Sequence, residues 1–441
     1  MQNQSSNSAS VFSTIFRQFL PTRLINRLFK MMGPLQRATP KISNQQLIMG
    51  LVFHVLQGVG TLAEHMKLLT GKSVSESALS QRRSQAPWQI FETILEHSLK
   101  LKAQPKIHPH AFYQGLRLCG SDGSLFPIAN TPQVKKQMTK AVSRRSKAAF
   151  AKIGVVTLVE LGLHNPIGAA IGIKGESEMV LARQLIEHLP PESLWICDRY
   201  YGVPCLIVEL DQIHPQGDRH FLLRVRRNIK SKVLESYADG SALVEIVQGK
   251  TKRLVREVRG QVRRGRRQWS QVRLWTDLLD WKKHPAHELL ALYAKRWEHE
   301  IFYKELKVNM RGRPLLNSHT PLTAGQEVAA LILAYAILVD QRIIAGKIGK
   351  VDVLQISFLK TLELVRGLWQ FLEVTEGILS ADQVRKVIRR TMRLIAEMVL
   401  PKRRQRSCPR KVRQPVSSRP RLLKNTYKKG PAEYKIIAIS A

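Results

Sequence analysis

The segment from about residue 115 to residue 201 constrains the fold most. It contains several strand-like stretches of sequence with one helix-like stretch between them. Three β-branched or apolar runs are separated by turn signals, and an amphipathic helical stretch and a further apolar run follow them. These runs are GLRLCGSDGSLFPI, AKIGVVTLVELGL, PIGAAIGIKG, SEMVLARQLIEHL and SLWICDRYY. The dipeptide Asn165-Pro166 predicts a hairpin turn between the second and third runs. Three strands, a helix and a further strand predict a mixed α/β sheet.

The remaining pattern divides the chain into consecutive segments. Residues 1–10 are polar, and we expect them to be disordered. Residues 11–105 carry apolar residues at helical spacing and predict a helical N-terminal domain that binds DNA. The α/β domain is expected over 106–350 and C-terminal helices over 351–400. Residues 401–441 form a basic tail in which several prolines predict disorder.

Within the α/β domain, residues 218–280 return to strand-like segments in which Val or Leu alternates with Arg. Such alternation fits an antiparallel sheet with one buried face and one cationic face. We therefore expect a β-rich insertion at about 218–280.

A helix-turn-helix-like module is one interpretation of the N-terminal segment. Ser73 and Glu76 have the spacing of a capping box, which would start a helix there. That helix would expose Arg82 and Arg83, whose side chains can reach phosphates or base edges. The alternative is a solvated polar face on a small helical bundle.

The charge of the chain indicates its partner. Lys and Arg total 71 against 33 Asp and Glu, a formal net charge of +38. A protein this basic repels itself unless it meets a polyanion, which favours nucleic acid. An anionic membrane fits less well, because the basic residues are spread along the whole chain.

Other features favour an intracellular protein without a membrane segment. The four cysteines include no CxxC pair, and the N-terminus has no apolar signal run. The longest apolar stretch, at 331–339, is shorter than a bilayer span. We expect a cytoplasmic protein associated with the bacterial nucleoid.

The segment LLALYAKRWEHEIFYKELKVNM carries the sharpest chemical signal. On an α-helix Tyr293, Arg296, Glu300 and Lys307 would fall within an arc of roughly 60°. A carboxylate beside two cations and a phenol suits a metal ion bound next to a phosphodiester. The alternative is an exposed helix with i,i+4 ion pairs.

Two further acids follow apolar strands, Asp122 in CGSDGSLFP and Asp198 in LWICDRYYG. Each alone has an ordinary explanation, a turn-forming Asp-Gly or a helix N-cap. Together with Glu300 they predict three carboxylates that converge from a sheet and a helix. Such a set can hold two Mg²⁺ ions about 3.5–4 Å apart for in-line phosphoryl transfer.

Here the chain resembles a known family, the DDE-type insertion-sequence transposases with an RNase H-like catalytic domain. The spacing Tyr-x2-Arg-x3-Glu-x6-Lys matches the signature of the cut-and-paste IS-four family at Tyr293, Arg296, Glu300 and Lys307. DGS and CDRYYG resemble the two aspartate motifs of that family. The resemblance covers residues 115–345 and extends loosely to the N-terminal helices.

The resemblance implies roles for these residues. Asp122, Asp198 and Glu300 would be the catalytic metal ligands for two Mg²⁺ or Mn²⁺ ions. Tyr293, Arg296 and Lys307 would bind DNA phosphate near the transposon end. In this family the insertion helps to hold a flipped base, for which Trp275 or Trp281 is the candidate ring. The alternative for either tryptophan is a place in the core.

The implied activity is metal-dependent cleavage of transposon inverted-repeat ends and strand transfer into target DNA by a homodimer. In related enzymes the freed 3′-hydroxyl first forms a hairpin, which is reopened before joining. Two other interpretations stay open: a catalytically inactive DNA-binding derivative and another RNase H-like nuclease.

Overall fold

The computed structural model describes residues 11–34, 40–138, 149–264, 268–311 and 313–401, with short stretches at 406–407, 428–429, 434–437 and 439. The predicted disorder of residues 1–10 and of most of the tail concerns residues outside these ranges. The helices are α1 Val11–Phe19, α2 Thr22–Met32, α3 Asn44–Gln57, α4 Leu62–Thr70, α5 Glu76–Gln85, α6 Trp88–Ser98, α7 Pro132–Gln137, α8 Glu178–Ile186, α9 Pro204–Ile213, α10 Ala286–Tyr293, α11 Trp297–Lys304, α12 Pro321–Gly349, α13 Phe358–Val374 and α14 Ala381–Glu397. The strands are β1 Phe112–Tyr113, β2 Leu116–Ile128, β3 Ala151–Glu160, β4 Asn165–Gly172, β5 Ser193–Gly202, β6 Arg219–Val225, β7 Lys232–Ser236, β8 Ala242–Gln248, β9 Thr251–Arg264, β10 Gln268–Thr276, β11 Arg406–Ser407, β12 Lys428–Lys429 and β13 Tyr434–Ile436.

The chain forms two compact units, and the elements β2, α8 and α11 contribute residues to both. Unit 1 comprises the described residues of Met1–His108, Gly123–Leu185 and Glu300–Val399. Unit 2 comprises those of Pro109–Asp122, Ile186–His299 and Leu400–Ala441.

Unit 1 is built around α12, which is apolar on every side. The helix packs against α3, α6, α13, α14 and β4. With 29 residues it is long and apolar enough to cross a membrane, although its longest uninterrupted apolar stretch, at 331–339, is shorter than a bilayer span. Because 83% of its most apolar window is buried inside the protein, α12 is accounted for as a core helix.

The N-terminal segment is helical, as predicted, but α5 begins differently. Ser75 is the N-cap, in an extended conformation, and its side chain accepts a hydrogen bond from the Ala78 amide. The capping box expected from Ser73 is therefore not formed. Glu76 instead accepts a hydrogen bond of 2.6 Å from the Ala63 amide at the start of α4, which ties the two helices together.

In unit 1 the strand order is β4-β3-β2, and β3 and β4 form the predicted antiparallel hairpin. The turn lies at residues 161–164, and His164 has a positive φ of 54°. Asn165 and Pro166 open β4 rather than form the turn. A left-handed residue such as His164 reverses the chain, and the fixed φ of proline is compatible with the first residues of a strand.

In unit 2 the strand order is β2-β5-β6-β10-β9-β8-β7, with β13 beside β9 and β1 beside β2. The β2–β5 and β5–β6 pairs are parallel, and α9 provides the crossover between β5 and β6. From β10 onward the pairing is antiparallel. The β-rich insertion therefore begins after β6 rather than at residue 218. The predicted mixed α/β sheet with a β-rich insertion is confirmed, and its RNase H-like character stays a prediction.

The predicted cationic face of the insertion is only partly observed. Arg256 is completely buried and forms an ion pair with Asp239. Arg259 and Arg273 both pair with Glu257, which is completely buried as well. The alternation of Val or Leu with Arg along a strand does not show whether a given arginine points to solvent or is buried beside an acidic partner.

Candidate active site

Asp122 and Asp198 follow directly from the register of two parallel strands. β2 and β5 pair as far as Ser121 opposite Cys197, so the next residue on each strand is one of the two aspartates. Both aspartates are partly exposed. Asp122 lies within β2, which continues to Ile128, and only the pairing with β5 ends before it. The two aspartates therefore follow the same paired position on neighbouring parallel strands.

At Asp198 the strand β5 leaves its ladder with β6. The pairing is regular to Cys197 and resumes at Gly202, so four residues of β5 stand opposite the single residue Arg224. Irregularities of this kind re-aim side chains at functional sites. The Asp198 carboxylate accepts a hydrogen bond of 2.7 Å from the Tyr200 amide, which fixes its orientation.

The electrostatics of the Cys197 thiol show which charges surround it. Burial raises the pKa of this thiol well above its ordinary value, and the negative charges of Asp198 and Asp122 raise it further. The positive charge of Arg296 acts in the opposite direction. Both aspartates and Arg296 therefore act on one buried position of unit 2.

Tyr293 joins this group. Burial raises the pKa of its phenol, the charges of Arg296 and Arg224 lower it, and that of Asp198 raises it again. In the part of the chain that the structure describes, the buried Tyr293 hydroxyl has no hydrogen-bond partner. A buried hydroxyl without a hydrogen-bond partner is energetically unfavourable. The Tyr293 hydroxyl could donate to an oxygen of a bound ligand, and the two nearby arginines favour an anionic ligand such as a phosphate.

Sequence analysis did not identify two of the side chains found here. Arg224 lies on β6 opposite the irregularity of β5, and its positive charge lowers the pKa of the Tyr293 phenol. Trp297 is 52% exposed, and the Arg296 guanidinium lies 5.3 Å from its ring centroid. A large exposed aromatic beside an arginine in the motif Arg-Trp-x-x-Glu was the signal available for it.

The helical segment that carries the signature is not one regular α-helix. Tyr293 ends α10, Arg296 lies in a 3₁₀ turn, and Glu300 lies in α11. Lys307 belongs to a π-helical stretch at Glu305–Asn309. A 3₁₀ turn advances about 120° per residue, and a π-helix is wider than an α-helix, so the predicted 60° arc does not describe these four side chains.

Lys307 has specific partners in unit 1. Its ammonium donates hydrogen bonds of 2.9 Å to the Ser124 hydroxyl and 2.8 Å to the Leu125 carbonyl oxygen. It also lies 5.2 Å from the centroid of the Phe126 ring. Lys307 thus fixes the π-helical stretch to the part of β2 that follows Asp122.

Glu300 lies in the middle of α11 and is partly exposed. It belongs to unit 1, whereas Asp122 and Asp198 belong to unit 2. Among the described residues no group of three or more His, Cys, Asp or Glu side chains is placed to hold a metal ion. The structure places the two aspartates directly after a paired position of β2 and β5, and their joint role with Glu300 as metal ligands stays a prediction.

The two candidate tryptophans of the insertion differ in exposure. Trp275 is completely buried, and its indole N–H donates a hydrogen bond of 2.8 Å to Glu257, which favours the alternative interpretation as a core residue. Trp281 is partly exposed and stacks on Tyr237, with ring centroids 6.1 Å apart and planes 19° apart. Trp281 therefore has the accessible ring of the two.

Arg82 and Arg83 are engaged within unit 1. Arg82 donates to the Ile42 carbonyl oxygen and the Asn44 side chain. Arg83 donates to Ser318 and to the Thr323 carbonyl oxygen, at 3.0 and 2.8 Å. These bonds fix α5 to α3 and α12, so the two arginines do not form an open DNA-reading face. The exposed residues of α5 include Ser77, Ser80, Gln81, Ser84 and Gln85, which fits the alternative of a solvated polar face.

The cryo-EM structure of a piggyBac transposase synaptic complex with hairpin DNA is similar over 90% of this chain and 86% of that one, with a TM-score of 0.42 and 11% identity. The transposase InsG for insertion sequence element IS4 of Escherichia coli K12 is 27% identical over 350 residues, which is 77% of each chain. The putative transposase InsZ of the same organism is 27% identical over 38% of this chain and 54% of its own length.

The family described as Transposase DDE domain matches residues 117–337, a stretch that includes both aspartates, Glu300 and the whole signature segment. This match confirms the resemblance drawn from the sequence. The chain therefore belongs to the Transposase DDE domain family and is a DNA transposase.

Proposed function

We propose that this transposase cleaves the inverted-repeat ends of its element and joins them to target DNA, with Asp122, Asp198 and Glu300 as catalytic acids. The proposal is supported by the β2–β5 register, which ends at Ser121 opposite Cys197, so that an aspartate comes next on each of the two neighbouring strands. Tyr293 and Arg296 act on the same place in unit 2. A pair of acids beside a guanidinium and a buried phenol suits the phosphodiester group.

The donor set fits a hard divalent cation. Mg²⁺ keeps several waters and is held by one or two carboxylates together with substrate phosphates. Asp122 and Asp198 supply such a pair, and Glu300 is proposed as the third ligand. Two bound Mg²⁺ or Mn²⁺ ions would supply charge stabilisation to the attacking and leaving oxygens.

The other side chains bind and orient the DNA strand. The Arg296 guanidinium would hold phosphate oxygens through charge-assisted hydrogen bonds, and the unpartnered Tyr293 hydroxyl would donate to one of them. Arg224 adds positive charge that acts on Tyr293 as Arg296 does. Lys307 would contact phosphate and, through its bonds to Ser124 and Leu125, hold the signature helix against β2.

The reaction class is exchange of one phosphodiester for another. Hydrolysis at the element end frees a 3′-hydroxyl, and that hydroxyl then attacks a phosphorus atom of the target strand and displaces its bridging oxygen. Because one phosphodiester bond replaces another in the joining step, no nucleotide hydrolysis is needed.

The test is cleavage of a duplex that carries the end sequence, with Mg²⁺ or Mn²⁺ and without either. We expect cleavage that needs the ion and is abolished in Asp198→Ala. Glu187→Ala removes an exposed carboxylate from the same unit and is the matched control, which should cleave like the unaltered protein. Full cleavage by Asp198→Ala would overturn the assignment.

We also propose that the enzyme acts as a homodimer, because two ends must be cut and joined together. The mass of the complex with a saturating end duplex, measured by light scattering, should correspond to two chains and two duplexes. A complex of one chain with one duplex that still joins both ends would contradict this.

A further inference from the structure

The outward face of α14 carries a dense row of positive charge in unit 1. Within nine residues it presents five exposed basic side chains, which are Arg385, Lys386, Arg389, Arg390 and Arg393. The acids of this helix are confined to its two ends, at Asp382 and Glu397. None of the candidate active-site residues described above lies on this helix.

Only the first turn of this row is neutralised. Asp382 pairs with Lys386 at 2.8 Å and with Arg385 at 3.6 Å. Within the described ranges no ion pair or hydrogen bond involves the side chains of Arg389, Arg390 or Arg393. Like charges at i,i+4, as in Arg389 and Arg393, disfavour the helix. An external anion would remove this repulsion.

The opposite face of α14 decides what kind of anion fits. Met392, Ile395 and Ala396 are buried, and Val387 and Ile388 pack against the same core. A basic amphipathic helix binds a lipid surface by inserting its apolar face. The apolar face of α14 is already buried against the core of unit 1. A partner can therefore contact only the basic face of the helix.

The spacing of the row fits the backbone of duplex DNA. Arg385, Arg389 and Arg393 succeed one another every four residues, or about 6 Å along the helix axis. The whole row is about 12 Å long. One strand of B-DNA places a phosphate every 3.4 Å along its axis, so the row spans roughly three to four phosphates.

We propose that the basic face of α14 is a sequence-independent binding surface for the phosphate backbone of double-stranded DNA. The inference rests on the proposed function, because the substrate of a transposase is duplex DNA. It adds a surface in the C-terminal helices to the contacts expected at the catalytic acids. Backbone contacts of this kind position the protein on the duplex and carry no sequence information.

The experiment measures the Kd of the full-length protein for a 20-base-pair duplex without the end sequence, in EDTA, between 50 and 200 mM KCl. Each phosphate contact contributes about 0.9 to the slope of log K against log salt. The variant R389Q/R390Q/R393Q should bind more weakly and lose about 2–3 from that slope. R389K/R390K/R393K keeps the charges and should retain the slope.

The matched control is K30Q/K347Q/K350Q, which removes three exposed charges elsewhere in unit 1 and should change the slope by less than one. If the control and the test variant lose the same amount from the slope, the effect depends on net charge alone, and the proposal is overturned. An unchanged slope in the test variant would also overturn it, as would binding to vesicles of anionic lipid that competes with the duplex. Since EDTA prevents catalysis, these outcomes are independent of the cleavage test on Asp198.

Discussion

Acidic side chains occur in two contrasting settings. In unit 2, Asp122 and Asp198 come directly after the last parallel pair of β2 and β5 and are partly exposed. In unit 1, Glu305 is buried and accepts hydrogen bonds of 2.5 Å from the Tyr335 hydroxyl and 3.0 Å from the His164 ring. The first setting keeps a face of each carboxylate open to solvent, and the second surrounds the carboxylate with donors.

We expect this difference to separate acids that act on a ligand from acids that stabilise the fold. A buried carboxylate is stable only when it is paired and hydrogen-bonded, so removing it leaves its partners unsatisfied. A partly exposed carboxylate at a strand edge contributes little to stability and can exchange water for a cation. Substitutions should therefore change activity in one setting and stability in the other.

The largest effect is expected at the strand edge. Asp122→Asn and Asp198→Asn should lower the rate of end cleavage by about 1,000-fold or more, because each removes a charge on which the chemistry depends. The midpoint of thermal unfolding should stay close to that of the unaltered protein. Cleavage rates and thermal unfolding of the same samples test this. A large drop in the unfolding midpoint would assign the aspartates to the fold instead.

The second effect concerns Glu305 and pH. Burial would raise the pKa of this carboxyl, but the charges of His164 and Arg342 and the hydrogen bonds from His164 and Tyr335 lower it to about 2, from an ordinary value of 4.5. A lowered folded-state pKa stabilises the protein above the unfolded pKa, and this stabilisation is lost as pH falls toward 2. The shift corresponds to stabilisation on the order of 3 kcal/mol.

Glu305→Gln is the comparison protein for this measurement. The difference in unfolding free energy between the two proteins, from urea titrations, should be constant above about pH 5 and shrink as pH falls from 4.5 toward 2. Other acids titrate in both proteins and cancel in the difference. A difference that does not vary with pH would show that Glu305 is not ionised in the fold.

A smaller effect is expected at the cations of the signature segment. Arg296→Gln and Lys307→Gln should lower end cleavage by about 10- to 100-fold, the equivalent of a lost charge-assisted hydrogen bond. Metal affinity measured by calorimetry should hardly change. Lys307→Gln should also lower the unfolding midpoint, because it loses the bonds to Ser124 and Leu125. Metal affinity reduced as far as in Glu300→Gln would contradict the division of roles.

The smallest effect on stability is expected at Trp281. Trp281→Ala loses one stacked contact with Tyr237 and should change the unfolding free energy by about 1 kcal/mol or less. If the Trp281 ring stacks on an extruded base, it should quench the fluorescence of a 2-aminopurine placed at the element end. Trp281→Ala should then quench this fluorescence less than the unaltered protein does. Unchanged quenching would exclude Trp281 from that role. Trp275→Phe removes the hydrogen bond that the indole N–H donates to buried Glu257, and it should be more destabilising than Trp281→Ala.

Much of the architecture was predictable because local patterns agreed with it. The runs around Asp122 and Asp198 became β2 and β5, and the helical run between them became α8. The identity of the acids and of Tyr293, Arg296 and Lys307 was also available, because their spacing along the chain is a linear property. The helical geometry between Tyr293 and Lys307 was not, since a 3₁₀ turn and a π-helical stretch interrupt the regular period.

The sequence by itself determined which residue types are present, how the apolar periods alternate, and that the chain carries a net charge of +38. Tertiary structure alone decided which charges are used internally. Arg83 and Arg256 look like DNA-binding residues in the sequence but donate to groups of the protein, whereas Arg224 drew no notice and acts on Tyr293. The reason is physical: a charged side chain is defined by the partners that surround it, and those partners come from distant parts of the chain.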